Sequence, residues 1–224
     1  MELVEYPDSE MMMLQLADTL AGELENTLLT HDFASFAVPG GTTPGPIFDV
    51  LCASKYIDWA RVHVMLTDER WVPETSERSN TRLLRERLLI GAAAAAKYVP
   101  LYGGTATPEE SLDALEDGMR AELPISVMLL GMGTDMHTAS IFPGADKLDE
   151  ALNGDALLVP MRAPGPPEPR ITLSAKVLTG AMKRHIVIKG ADKRAALEKA
   201  LTLTPEQAPV AAVLAGSTVH WAES

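Results

Sequence analysis

An imidazole that follows a carboxylate by two residues, in a turn at the end of a buried strand, can take a proton from water. This chain carries that arrangement at Asp135-Met136-His137. Histidine titrates near neutral pH, and a neighbouring carboxylate can hold its ring and set its tautomer. The apolar run Ile125–Leu130 precedes the pair and reads as a strand, and Gly131 and Gly133 let the chain turn sharply between them. Thr138 and Ser140 add hydroxyls behind it. The same residue types also cap helices and close turns, so the loop acquires meaning only alongside others like it.

Four further polar segments carry such residues, and those at Pro39–Pro44 and Asp68–Asn80 also follow apolar strands. Val38-Pro39-Gly40-Gly41-Thr42-Thr43-Pro44-Gly45 has the glycines and hydroxyls to offer backbone and side-chain donors to an anion. It lacks the Gly-Lys-Ser/Thr ending of a Walker loop, and an ordinary Gly-Pro turn is the plainer alternative. Leu66-Thr67-Asp68-Glu69-Arg70-Trp71-Val72-Pro73 brings two acids and an arginine to a strand end, either as a surface ion pair or as part of a ligand edge. Pro169-Arg170-Ile171-Thr172-Leu173 offers a guanidinium that can fork onto phosphate or carboxylate. Lys189-Gly190-Ala191-Asp192-Lys193-Arg194 sets Lys193 near a helix start. A cation is unfavourable there for the helix dipole, so an anionic ligand explains it better than stability does.

The elements that position these loops alternate. Leu3–Tyr6, Phe33–Val38, Val62–Thr67, Tyr98–Leu101, Ile125–Leu130, Ala156–Met161, Ile171–Leu173, His185–Lys189 and Thr218–Trp221 read as strands. Ser9–Leu29 repeats Met12, Leu16, Leu20, Leu24 and Leu28 at helical spacing. Further helices are expected over Pro44–Cys52, Ser79–Leu89, Thr107–Leu123 behind a capping box, and Ala191–Leu203. A second box, Thr204-Pro205-Glu206-Gln207, predicts another short helix. The pattern predicts an α/β fold, a Rossmann-like, mainly parallel sheet covered by helices on both faces, in a single domain over residues 1–224. The proline-rich stretch Pro164–Pro169 reads as a lid or rim.

Composition narrows the function classes. Hydrophobic content of 46% supplies a full core without staples, and the single Cys52 reads as a core filler. A net charge of −12 argues against a nucleic-acid partner, yet leaves room for a local pocket of cations. No secretory leader is visible at the N-terminus, and uncharged stretches such as Gly91–Ala96 are too short to span a bilayer. A cytoplasmic protein without membrane association is therefore expected. His31, His63, His185 and His220 are scattered, no residues show metal-ligand spacing, and no dinucleotide or nucleophile-elbow motif occurs.

Taken together, these loops resemble the glucosamine-6-phosphate isomerase/6-phosphogluconolactonase family nearly end to end. The resemblance rests on Gly40-Gly41-Thr42-Thr43-Pro44, on Trp59–Val64 leading into Asp68–Pro73 and Ser79-Asn80, and on Gly131-x-Gly133-x-Asp135-x-His137-Thr138-Ala139-Ser140-x-Phe142-Pro143-Gly144. Arg170–Leu173 and Gly190-x-x-Lys193 extend it. Two positions depart. Pro39 stands where the family usually has serine, and Met136 where it usually has glycine. The family glycine suggests a left-handed backbone at Met136, in which case Met136→Gly would relieve strain and raise the melting temperature.

The resemblance implies hydrolysis of 6-phospho-D-glucono-1,5-lactone to 6-phosphogluconate in the oxidative branch of the pentose phosphate pathway. It implies His137 as general base and Asp135 as its support. Arg70 and the Gly131–Gly133 backbone would hold an oxyanion. Gly40, Gly41, Thr42, Asp68, Arg170 and Lys193 would bind substrate and its phosphate, with neither cofactor nor metal. Two alternatives remain. Deaminase/isomerase relatives carry a glutamate where Ile141-Phe142 precede Pro143-Gly144, and an aromatic residue in place of Arg70. A non-catalytic sugar-phosphate sensor would carry a DNA-binding segment, which an acidic chain whose fold starts near residue 1 is not expected to have. Oligomeric state is not legible in the sequence.

Overall fold

The computed structural model describes residues 1–165 and 167–224. Residue 166, inside the expected lid or rim, lies outside the described residues. The first strand, β1 (Glu2–Glu5), leads into α1 (Ser9–Leu28), whose first turn is capped by the Asp8 carboxylate accepting from the Met11 backbone N–H. Met12, Leu16, Leu20, Leu24 and Leu28 form its buried stripe, as their spacing predicts. There follow β2 (Ala34–Val38), α2 (Gly45–Leu51), β3 (Val62–Leu66), β4 (Asp68–Arg70), α3 (Asn80–Arg87), β5 (Lys97–Val99), α4 (Leu112–Arg120) and β6 (Val127–Gly131). The chain ends with α5 (Leu148–Asn153), β7 (Leu158–Met161), β8 (Arg170–Leu173), α6 (Ala175–Gly180), β9 (Lys183–Lys189), α7 (Ala191–Ala200), α8 (Ala211–Leu214) and β10 (Thr218–Ala222).

Seven strands form one sheet in the order β1-β10-β9-β6-β2-β3-β5, and every pairing in it is parallel. Such strands are buried on both faces and so read as continuous apolar runs, as the fully buried β2 does. From β2 the chain winds outward through β3 to β5, then returns to β6 on the other side of β2 and winds outward again. That reversal opens a crevice beyond the carboxyl ends of β2 and β6. The Gly40 loop leaves β2 and the Asp135–His137 loop leaves β6, so topology alone sets them on either side of it.

Three expectations need correction. Asp68–Arg70 is not a loop but a strand, paired antiparallel with β8 and joined through it to β7 in a separate three-stranded sheet. Thr107–Leu123 is not one helix: a 3-10 turn over Pro108–Ser111 precedes α4, and the Thr107 hydroxyl bonds the Glu110 side chain instead of capping the backbone. The box at Thr204 closes turns, with Gln207 and Ala208 N–H groups donating to the Thr204 carbonyl, and α8 begins only at Ala211.

The scattered histidines are less solitary than their spacing suggests. Parallel pairing of β9 with β10 brings His185 Nδ1 to 2.9 Å from His220 Nε2. Glu23 of α1 holds the other His185 nitrogen at 2.8 Å, and the Tyr6 hydroxyl holds His220 Nδ1 at 2.8 Å. Burial, with His185 alongside, lowers the His220 pKa to about 4, so this chain of side chains is uncharged at His220 and fastens α1 and the end of β1 to the sheet. Cys52 packs against the core, and burial raises its thiol pKa, consistent with an inert filler.

Candidate active site

A cleft of about 260 Å³ opens at the crevice. Gly40, Gly41, Thr42, Asp68, Arg70, His137, Arg170 and Lys193 all line it. Four strand ends contribute: β2 through the Gly40 loop, β3 through Asp68 and Arg70, β6 through His137, and β9 through Lys193 on α7. Asp135 does not line the cleft and reaches it only through His137.

The Asp135 carboxylate lies 2.5 Å from His137 Nδ1 and also accepts the His137 backbone N–H at 3.2 Å. An ionised carboxylate can only accept, so Nδ1 carries the proton and Nε2 remains the basic atom. Burial pushes the Asp135 carboxyl upward, but the hydrogen bond and charge of His137 outweigh it and hold the pKa below its ordinary value. The ring packs on Phe142, centroids 4.2 Å apart. The loop is closed by the Gly133 N–H, which donates to the His137 carbonyl at 3.0 Å. That donor is therefore committed, and the expectation that it would face an oxyanion is corrected.

Met136 has φ of 67°, in the left-handed region where the family glycine would be at ease. Its side chain, however, is only 8% exposed and joins the hydrophobic core. Strain relief of about 1–3 kcal/mol from glycine is then opposed by about 2–5 kcal/mol for deleting a buried methionine side chain. Met136→Gly is now expected to lower the melting temperature, contrary to the reading from sequence. A thermal-unfolding scan showing a rise would mean that strain dominates.

Across the cleft, Gly41 has φ of 86°, and a Cβ at Gly40 would fall 2.0 Å from the Asn80 side-chain oxygen. Glycine is needed at both positions, once for conformation and once for close approach. Among the described residues, the N–H groups of Gly40, Gly41 and Thr42 reach no protein acceptor. Lys193 is half-buried and makes no ion pair among the described residues, and burial lowers its pKa. The wall between carries Arg70 and Arg170, directly opposite each other on β4 and β8. Arg170 lies 3.8 Å from Asp68 and 3.7 Å from Glu168, and stacks over Phe142 at 5.3 Å. Arg70 donates to the Arg78 carbonyl at 2.7 Å. The Nε atoms of both arginines are buried with no partner among the described residues.

Several residues at the site were not assigned from sequence. Asn80 lines the cleft, Ser140 donates to Asp68, and Phe142 supports both His137 and Arg170. All three stand inside the motifs quoted above, but their roles arise from contacts between distant segments.

A parallel, doubly wound sheet with an acid–histidine pair facing cations across its switch-point cleft defines an α/β enzyme for small anionic substrates. The chain belongs to the glucosamine-6-phosphate isomerases/6-phosphogluconolactonase family, whose sequence pattern matches residues 7–221. A 6-phosphogluconolactonase from Pseudomonas aeruginosa is 40% identical over 211 residues, covering 92% of this chain and 88% of that protein. The crystal structure of a 6-phosphogluconolactonase from Shewanella baltica superposes with a TM-score of 0.95 at 32% identity, covering 99% of this chain and 97% of the other. A monomeric glucosamine-6-phosphate deaminase shares the fold, with a TM-score of 0.81 at 16% identity, covering 99% of this chain and 97% of the other. The fold thus accommodates both chemistries, and side chains must choose between them. Among the described residues no helix is long and apolar enough to cross a membrane.

Proposed function

We propose that this chain hydrolyses 6-phospho-D-glucono-1,5-lactone to 6-phosphogluconate, the reaction named for its 6-phosphogluconolactonase relatives. The observation that carries the reading is the His137 imidazole, oriented through Nδ1 by Asp135 and packed on Phe142. Where the deaminase relatives place a glutamate, this chain sets an aromatic ring that can neither give nor take a proton.

The sequence of steps is short. Nε2 of His137 removes a proton from water as the oxygen attacks the lactone carbonyl carbon. The tetrahedral intermediate carries its negative charge on the former carbonyl oxygen, where Arg70 supplies a permanent positive charge. Collapse breaks the bond to the ring oxygen, which takes the proton back from the imidazolium. The phosphate is held by the free N–H groups of Gly40, Gly41 and Thr42 together with Lys193. Asp68 fixes Arg170 beside Arg70, so Arg170 reinforces the positive wall on its way to the phosphate. No cofactor enters this scheme, and the enzyme would work in the cytoplasm.

The deciding assay follows lactone hydrolysis against its spontaneous rate. Acceleration by the purified protein supports the reading. No acceleration, with ammonia released from glucosamine-6-phosphate, would transfer it to the deaminase class. Within the reading, Lys193→Ala is expected to raise KM about tenfold or more while leaving kcat nearly unchanged, because a phosphate contact is made equally in ground and transition states. A KM unchanged in this variant would remove Lys193 from the phosphate site.

A further inference from the structure

Glu69 is the least expected charge in the molecule. It has 0% exposure, lies on β4 between Asp68 and Arg70, and does not line the cleft. One carboxylate oxygen accepts from the Arg70 backbone N–H at 2.7 Å and the Asn80 N–H at 2.8 Å. The other accepts from the Thr81 N–H at 2.8 Å, the Thr81 hydroxyl at 2.7 Å and the Ser79 hydroxyl at 3.3 Å. Among the described residues it has no cationic partner. Burial nonetheless raises its pKa above the ordinary carboxylate value in spite of these donors. A buried carboxylate without a counter-ion is a costly way to satisfy backbone donors, so stability alone does not account for it.

What the carboxylate joins is more telling. It binds the strand residue that presents Arg70 and the first turn of α3, which presents Asn80. Asn80 in turn donates to the Asp68 carbonyl at 3.0 Å, and its amide occupies the space that the missing Gly40 side chain leaves. The result is one rigid piece linking the arginine wall to the anion loop, with a buried charge as its rivet. A neutral amide could not replace it. Each carboxylate oxygen faces at least two donors, so an NH₂ in either position meets N–H groups head-on.

We propose that Glu69 is a positioning residue for the hydrolysis, fixing Arg70 relative to Asn80 and the Gly40 loop through its fully donor-satisfied carboxylate. The proposal rests on the lactonase reading above. It places control of the substrate-holding geometry in a side chain that never touches substrate.

The test is a double-mutant cycle between Glu69→Gln and Arg70→Lys, read in kcat/KM for the phosphorylated lactone. Glu69→Gln alone is expected to lower kcat/KM about tenfold or more, as misplacement of binding groups does. In the Arg70→Lys background, where the precise placement of the guanidinium is already lost, the same change should cost at least three times less. Residues acting as a unit are non-additive in this way. A merely structural Glu69 would lower stability, and any activity loss would be the same factor in both backgrounds. That additive result, or wild-type activity in Glu69→Gln, overturns the proposal. If Glu69→Gln does not fold, Thr81→Val removes one donor and keeps the charge, and the same inequality between backgrounds is required of it. Affinity for 6-phosphogluconate, measured by calorimetry in the same four proteins, needs no turnover. It separates failure of the Glu69 assignment from failure of the lactonase reading.

Discussion

Replacing His137 with alanine is expected to lower kcat about 10²–10⁴-fold, the usual contribution of a general base, while the protein stays folded. The ring sits on a loop and its side chain is 30% exposed, so it contributes little to the core. Its main packing partner is Phe142, which keeps Arg170 on its ring when the imidazole is gone. KM should change little, because the phosphate contacts assigned to the Gly40 loop and Lys193 remain. Asp135→Asn is the companion measurement. The Asp135 oxygen that meets Nδ1 also accepts the His137 backbone N–H, so an asparagine would keep its carbonyl oxygen there and still accept from Nδ1. The tautomer would then persist while the negative charge that supports the imidazolium is lost, and Asp135→Asn should lower kcat by less than His137→Ala does. A folded His137→Ala protein with wild-type turnover would dismiss the histidine. A fully active Asp135→Asn would dismiss the role of the carboxylate's charge alone.

The parts of this site that could be read from sequence share one property: they are local. β2, β3, β6 and β9 are apolar runs that end in chemically distinctive residues, and a parallel sheet collects its carboxyl ends on one edge. That pattern set Gly40, Asp68, His137 and Lys193 at or near strand ends, the family resemblance assigned them to one site, and the structure brings all four to one cleft. The parts that could not be read depend on pairings between distant segments. Asp68–Arg70 has no apolar alternation to announce a strand, and it becomes one because β8 pairs with it. Glu69 looks like half of a surface ion pair until α3 brings its N–H groups down onto it. The two capping-box patterns opened no α-helix at once because the first turns tightened into 3-10 or plain turn geometry: the Thr107 hydroxyl bonds the Glu110 side chain, and at Thr204 only the reciprocal half forms, its N–H donating to Gln207 Oε1 at 3.4 Å. Met136 shows the limit of an inference from a missing glycine. The backbone conformation follows from the turn, but the burial of its side chain against the core is invisible without the fold.

Gly133→Ala is expected to separate activity from stability more sharply than any other small change. Gly133 does not have the positive φ that excludes side chains, so alanine fits its backbone without strain. The new Cβ, however, would stand 2.3 Å from both Cε1 and Nδ1 of His137 and 2.5 Å from Asp135 Oδ1. No carbon tolerates such approaches, and the atoms it meets are the ring and carboxylate of the pair proposed to react, not backbone. The least costly response is for the pair to swing aside, sparing the strand and the core. Displacing a general base by about 1 Å costs on the order of 10²-fold in rate. The expected result is a kcat reduced about that much, with a circular dichroism spectrum unchanged and a melting temperature lowered only slightly. The Gly133 N–H would still close the loop onto the His137 carbonyl, so the loop should persist while its imidazole points elsewhere. Wild-type turnover in a folded Gly133→Ala protein would show that the pair does not need the geometry it has here, and would sink the assignment of Asp135–His137 as the reacting centre.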